Sequence, residues 1–241
     1  MKYTINFFLL IIALIILIYI NYILFFKKPY LDLDFLTSKD KINELNDYLK
    51  NKKQIYLWDT NNFVAKNKKH ANSIELTDCL KCINFKSHYE NRLNRGNSEY
   101  HIPNENFYKL PKLITFIEEL NVFEDIGNIT IIINEPNQKG IEHKDHSYKW
   151  VSEFIWIRTN NIKKFYVKNN FGIPYYIDNN IIWFDDQRIH NIYPVNEYSF
   201  SIRVNGRFNN YFRNWVANQN NFKKSINKKI LLDNKSYKLI Y

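Results

Sequence analysis

From residue 129 to residue 207 the chain is broken into short apolar or alternating runs separated by Asn, Gly and Pro, the punctuation of a β-rich domain. The runs fall at residues 129–133, 141–145, 153–158, 163–167, 174–177, 181–184, 189–193 and 198–207. About eight short strands at this spacing suit a double-sheet jelly roll of the cupin type, a double-stranded β-helix. The stretch before it, residues 29–128, reads as α-rich. Thr37 or Ser38 can cap a helix running to about Leu49, with Ile42, Leu45 and Leu49 on one stripe. A second helix opens at Leu110-Pro111, where Pro111 suits the first helical position and Leu113, Phe116, Ile117 and Leu120 form the buried stripe. A short strand is expected at 54–58, and residues 61–101 carry no clear period. The expected fold class is therefore mainly β with flanking helices, its β-helix core at residues 129–215 and a basic tail at 216–241.

Residues 7–26 are almost unbroken apolar sequence, interrupted only by Asn21 and the tyrosines Tyr19 and Tyr22. About 20 such residues cross a hydrocarbon core of about 30 Å as a helix. A cleaved signal carries a shorter apolar region and small residues at its cleavage site. Leu24-Phe25-Phe26-Lys27-Lys28 offers no such site, so residues 1–28 are expected to form a retained single-pass transmembrane helix. Lys2 stands on one side of it and Lys27 and Lys28 on the other, which leaves the side of the membrane unreadable from charge.

The net charge of +10 raises nucleic acid as a partner. Lys, Asn, Ile, Tyr and Phe are all abundant together, however, and A+T-rich codons encode all five; the lysines are also scattered instead of gathered on one face. Nucleic acid is therefore not an expected partner. Lys223, Lys224, Lys228 and Lys229 in the tail offer either a contact with anionic lipid or a solvated end. Two cysteines, Cys79 and Cys82, form one C-x-x-C. A zinc site needs about four ligands and no second pair exists. The pair reads as two thiols, or as a small disulfide if the domain lies in an oxidising compartment.

The chemistry concentrates in Glu142-His143-Lys144-Asp145-His146 and in Trp183-Phe184-Asp185-Asp186-Gln187-Arg188-Ile189-His190. Residues i and i+2 of an extended strand point to one face, so His143 and Asp145 can converge on one ion. His190 can add a second imidazole from another strand. Two His and one carboxylate on one face of a metal, with open positions opposite, form the facial site of non-haem Fe(II) proteins. His146 has the wrong parity to join them. His70, His88 and His101 read as surface or packing residues, and Asp185 and Asp186 as turn or supporting groups. If Asn196-Glu197 is a two-residue hairpin turn, His190 comes to lie opposite Arg203. Along that last strand Ser199, Ser201, Arg203, Asn205 and Arg207 share the polar face, and Arg203 can grip a carboxylate near the metal.

Over residues 129–207 these features resemble the 2-oxoglutarate/Fe(II)-dependent dioxygenases: His143-x-Asp145 as the H-x-D motif, His190 as the distal histidine, and Arg203 as the basic residue of the final strand. Trp183-Phe184-Asp185-Asp186 followed by His190 is similar to a segment of the aspartyl/asparaginyl β-hydroxylase branch. The resemblance implies Fe(II) on His143, Asp145 and His190, and 2-oxoglutarate as co-substrate held by Arg203, with Ser201 beside it and Arg158 assisting; Arg207 is the alternative to Arg203. It implies a membrane-anchored hydroxylase, with a protein side chain as the first expectation for substrate. Two other readings stay open: a membrane-tethered binding or structural protein with a non-catalytic jelly roll, and a cupin enzyme that does not use 2-oxoglutarate.

Overall fold

The computed structural model describes residues 2–26, 28–55, 72–79, 95–145, 150–151, 153–169, 171–219, 231–233 and 236–240. In chain order these form α1 (Lys2–Phe26), β1 (Tyr30–Asp32), α2 (Lys39–Ile55), β2 (Asn72–Glu75), β3 (Thr77–Cys79), β4 (His101–Pro103), α3 (Glu105–Lys109), α4 (Pro111–Glu119), β5 (Phe123–Asn134), β6 (Trp150–Val151), β7 (Phe154–Arg158), β8 (Phe165–Lys168), β9 (Pro174–Ile177), β10 (Ile181–Phe184), β11 (His190–Ile192), β12 (Ser199–Phe208), α5 (Asn210–Asn218), β13 (Leu231–Asp233) and β14 (Ser236–Ile240).

Two antiparallel sheets carry the architecture. The larger has the order β1-β10-β7-β12-β5-β2 and the smaller the order β11-β8-β9. Between β5 and β12 the chain passes back and forth: β7 lies in the larger sheet, β8 and β9 in the smaller, β10 in the larger, β11 in the smaller and β12 in the larger. Winding of this kind is a double-stranded β-helix, the arrangement expected from the strand spacing. Rings close the gap between the sheets: Phe165 of the smaller sheet lies 6.1 Å from Trp156 and 5.1 Å from Phe184 of the larger, centroid to centroid.

Alternation explains which face goes where. On one face of the larger sheet Ile202 pairs with Ile131 and Ile157, and Val204 with Ile129 and Ile155, all buried. The same apolar cluster takes in Ile42, Leu45 and Leu49 of α2 and Leu113, Phe116 and Ile117 of α4, the two stripes read from the sequence. The opposite face carries Arg203, opposed by Thr130 and Trp156, and turns toward the smaller sheet. The N-terminal part is less purely helical than expected, since β1 and β2 form the two edges of the larger sheet. β2 was hidden because Asn72-Ser73-Ile74-Glu75 holds a single apolar residue, which suits an edge strand with one buried position.

Three local expectations are corrected. β11 and β12 are not a hairpin: β11 pairs with β8, while both edges of β12 are taken by β5 and β7. Residues 193–198 instead cross between the sheets, and Asn137 N–H donates to the Val195 carbonyl at 2.6 Å. Residues 141–145 are not a full strand; His143 alone forms a bridge, to His190. Gln54 and Ile55 end α2 instead of starting a strand, while 56–58 lie outside the described residues. His70, His88, His146, Cys82 and the lysines Lys223, Lys224, Lys228 and Lys229 also lie outside them. Cys79 is in a disulfide.

The backbone of α1 runs 25 residues, about 37 Å at 1.5 Å per residue. Side chains are described for residues 7–20, and all of these are exposed although almost all are apolar. Over that described portion no helix is long and apolar enough to cross a membrane.

His101 is a packing histidine, as expected: it is buried on β4, and among the described residues neither ring nitrogen has a hydrogen-bond partner. Burial, aided by the Arg95 charge, lowers its pKa to about 4. The unfolded chain would bind a proton there below about pH 6.5. Between those two values the unfolded state carries the extra proton, so His101 makes stability fall as pH drops through this window, by up to ~3 kcal/mol. His101→Leu should flatten the loss of urea resistance between pH 7 and pH 5; an unchanged loss would assign it to other groups.

Candidate metal centre

His143 and His190 are brought together by the backbone. His143 N–H donates to the His190 carbonyl at 3.3 Å and His190 N–H returns the bond at 3.0 Å, so their side chains share one face. Asp145 is fixed two residues later by its own N–H, which donates to the Asp186 carbonyl at 3.0 Å. Glu142, of opposite parity, turns away: its carboxylate accepts from the Tyr166 hydroxyl and pairs with Lys168 at 2.6 Å. Gly140 lets the approaching loop lie close on β11, since a Cβ there would overlap Asn191 Oδ1.

The three side chains converge. Asp145 Oδ1 lies 3.5 Å from His143 Nε2 and 3.6 Å from His190 Nε2, and one ligand atom from each residue falls within 4.8 Å of the others. The two imidazoles are already set in the tautomer a metal requires. His143 Nδ1 donates to the Ile141 carbonyl at 2.7 Å and His190 Nδ1 to the Arg188 carbonyl at 2.9 Å, which leaves each Nε2 lone pair facing Asp145. Burial lowers the pKa of His190 despite the neighbouring Asp145, so its ring is neutral near pH 7, as a ligand must be. The donor set of two imidazoles and one carboxylate fits a divalent transition metal with open positions.

The triad sits at the rim of a cavity of about 300 Å³. Trp156, Phe165 and Phe184 give it an apolar wall, Thr130 and Asn134 a polar one, and His143 is half-exposed on the open side. Arg203 lines it from the centre of the larger sheet, across the sandwich from His190 and not beside it on a hairpin. Its Nη1 donates to Asp145 Oδ2, its Nη2 to Asp186 Oδ2 at 2.8 Å and its Nε to Asn205 Oδ1 at 3.0 Å. Burial alone would lower its pKa, but Asp145 and Asp186 outweigh it and the net shift is upward. The Asp185 carboxylate instead holds the turn, accepting from Arg188 Nε at 2.7 Å and from Gln187 N–H at 3.2 Å.

The remaining expected residues fall elsewhere. Arg207 pairs with Glu124 and does not line the cavity. Ser201 is buried opposite Arg158, away from the lining. Arg158 is engaged in the fold: Nη1 donates to the carbonyls of Ile177 at 2.6 Å and Asn179 at 3.1 Å, and Nη2 to that of Lys163. Its burial lowers its pKa to about 10. These bonds tie β7 to the chain around β8 and β9. Trp156 was not singled out from the sequence; its signal is parity, since it opposes Arg203 across β7 and β12.

No family model matches the chain, and no curated protein matches it. Among solved structures, a Pseudomonas putida prolyl-4-hydroxylase aligns at TM-score 0.41 and 8% identity, over 75% of this chain and 92% of that one. A full-length Neurospora crassa protein, solved in complex with alpha-KG, aligns at 0.40 and 12%, over 75% and 73%. A viral collagen prolyl hydroxylase of Paramecium Bursaria Chlorella virus-1, solved as a 2OG complex, aligns at 0.37 and 10%, over 74% and 95%. At these scores the likeness carries no weight for the chemistry, which rests on the residues themselves.

Two outcomes follow from the geometry. Wild-type protein should bind one Co(II) with His143, Asp145 and His190 as ligands, and His190→Ala should abolish binding by visible absorbance titration. Arg158→Met should lower unfolding stability by about 2–4 kcal/mol in urea, from carbonyls left without donors, while Co(II) affinity stays unchanged. A loss of metal affinity in folded Arg158→Met would return that residue to the site.

Proposed function

We propose that this chain is an Fe(II)- and 2-oxoglutarate-dependent oxygenase that hydroxylates a C–H bond, held at a membrane by α1. The observation that carries the reading is the convergence of His143 Nε2, His190 Nε2 and Asp145 Oδ1 at the rim of a cavity of about 300 Å³. With iron bound there, O2, 2-oxoglutarate and R–H give R–OH, succinate and CO2. The chain's own part is ligation, orientation and shelter. His143 and His190 stay in one tautomer through their Nδ1–H bonds to Ile141 and Arg188. Trp156, Phe165 and Phe184 keep the inner wall dry, and the half-exposed side at His143 leaves an approach for substrate.

The volume is at the lower end for a small-molecule site, about 300–1,000 Å³. Room for the co-substrate and one further small group favours a substrate that inserts a single side chain, so a protein is the substrate class of this reading. Membrane attachment rests on the apolar run 7–26 within the 25-residue helix α1, whose described side chains are all exposed. Large apolar residues left exposed in a row ask for a lipid or protein partner.

The test is anaerobic titration of 2-oxoglutarate into the Fe(II)-loaded full-length protein. The expected result is a metal-to-ligand charge-transfer band in the visible, absent from His190→Ala. Iron binding without the band would replace this chemistry with another cupin activity, and no iron binding would favour the tethered binding protein. For the anchor, the full chain should stay with vesicles through an alkaline carbonate wash; release into the wash would contradict it.

A further inference from the structure

The geometry points to Arg203 and Asp186 as a positioning pair that aims Asp145 at the metal, instead of Arg203 serving as the grip for an incoming carboxylate. This rests on the metal-centre reading above and deepens it.

An arginine offers five N–H donors in a fixed planar fork. Here both ends of the fork are engaged by protein carboxylates: Nη1 by Asp145 Oδ2 and Nη2 by Asp186 Oδ2 at 2.8 Å. Nε is engaged by Asn205 Oδ1 at 3.0 Å. The guanidinium carbon lies over the Phe154 ring, 3.9 Å from its centroid. Arg203 is 7% exposed and Asp186 is 0% exposed. Each of the three nitrogens already carries a protein acceptor, and a further carboxylate would join two negative charges already sharing one positive charge. Burial strengthens that repulsion.

The same contacts fit the positioning role closely. Arg203 takes Asp145 Oδ2, which leaves Oδ1 as the oxygen facing both Nε2 atoms. Asp186 fixes the other end of the guanidinium, and its own backbone carbonyl accepts the Asp145 N–H at 3.0 Å. Residue 186 thus holds residue 145 twice, once through the main chain and once through Arg203. The adjacent acidic pair of the sequence divides its work: Asp185 makes the turn and Asp186 supports the metal ligand.

Full-length Asp186→Asn and Arg203→Lys, with folding checked by circular dichroism, would be titrated with Co(II), then with 2-oxoglutarate at saturating Co(II). Asp186→Asn keeps the size of the buried group, so it remains informative if Arg203→Lys does not fold. The pairing predicts a Co(II) affinity about 10-fold or more weaker in both variants, the range of lost supporting contacts to metal ligands. It also predicts altered Co(II) ligand-field bands and an unchanged 2-oxoglutarate dissociation constant. Wild-type Co(II) affinity and bands in both variants, with weakened 2-oxoglutarate binding in Arg203→Lys, would overturn it and make Arg203 the carboxylate grip. Failure of the wild type itself to bind Co(II) would instead reject the metal centre on which the pairing rests.

Discussion

The pair of backbone hydrogen bonds between His143 and His190 is the constraint on which the site depends. It joins two segments far apart in sequence and puts two imidazoles on one face, with ring centroids 4.5 Å apart. The rest of the β-helix supplies the conditions for that pair. β8 holds β11 in register, with His190 opposite Val167, and the Asp145 N–H bond to Asp186 closes the triad. Each ligand is thus placed by main-chain bonds, and its side chain is then oriented by a named partner: a carbonyl for each Nδ1 and Arg203 for the carboxylate. Backbone placement of this kind costs little reorganisation when a metal arrives, which is the physical content of preorganisation.

β12 is the second support. It is buried on both faces and paired on both edges, so it can present a charged Arg203 inward only because carboxylates and Phe154 receive it. A buried arginine without such partners would be strongly destabilising. Arg158, two residues along the opposing register from Trp156, solves the same problem differently, with backbone carbonyls as acceptors. The two arginines look alike in sequence and differ in what surrounds them: one is joined to the metal ligands, the other to the frame.

What was legible in the sequence was what depends on period. The strand-rich interval and the helical stripes of Ile42, Leu45 and Leu49 and of Leu113, Phe116 and Ile117 follow from alternation or from helical spacing, and the fold uses them so; His143 and Asp145 do meet, but from a loop with one bridge instead of a strand. What was not legible depends on which strands pair. Asn196-Glu197 has the chemistry of a tight turn, yet β12 lies between β5 and β7, and no local signal distinguishes a hairpin from a crossing between sheets. Arg158 and Arg203 both sit on strands beside the site, and only the tertiary partners separate their roles. β2 was missed because one buried residue gives no period to read.

The most direct measurement is X-ray absorption at the iron edge of the anaerobically loaded full-length protein. The account predicts a first shell of oxygen and nitrogen only, with the multiple-scattering signature of about two imidazoles, and loss of one imidazole in His143→Ala. A shell containing sulfur, or one without imidazole scattering, would contradict the assignment of His143, Asp145 and His190 as the metal centre.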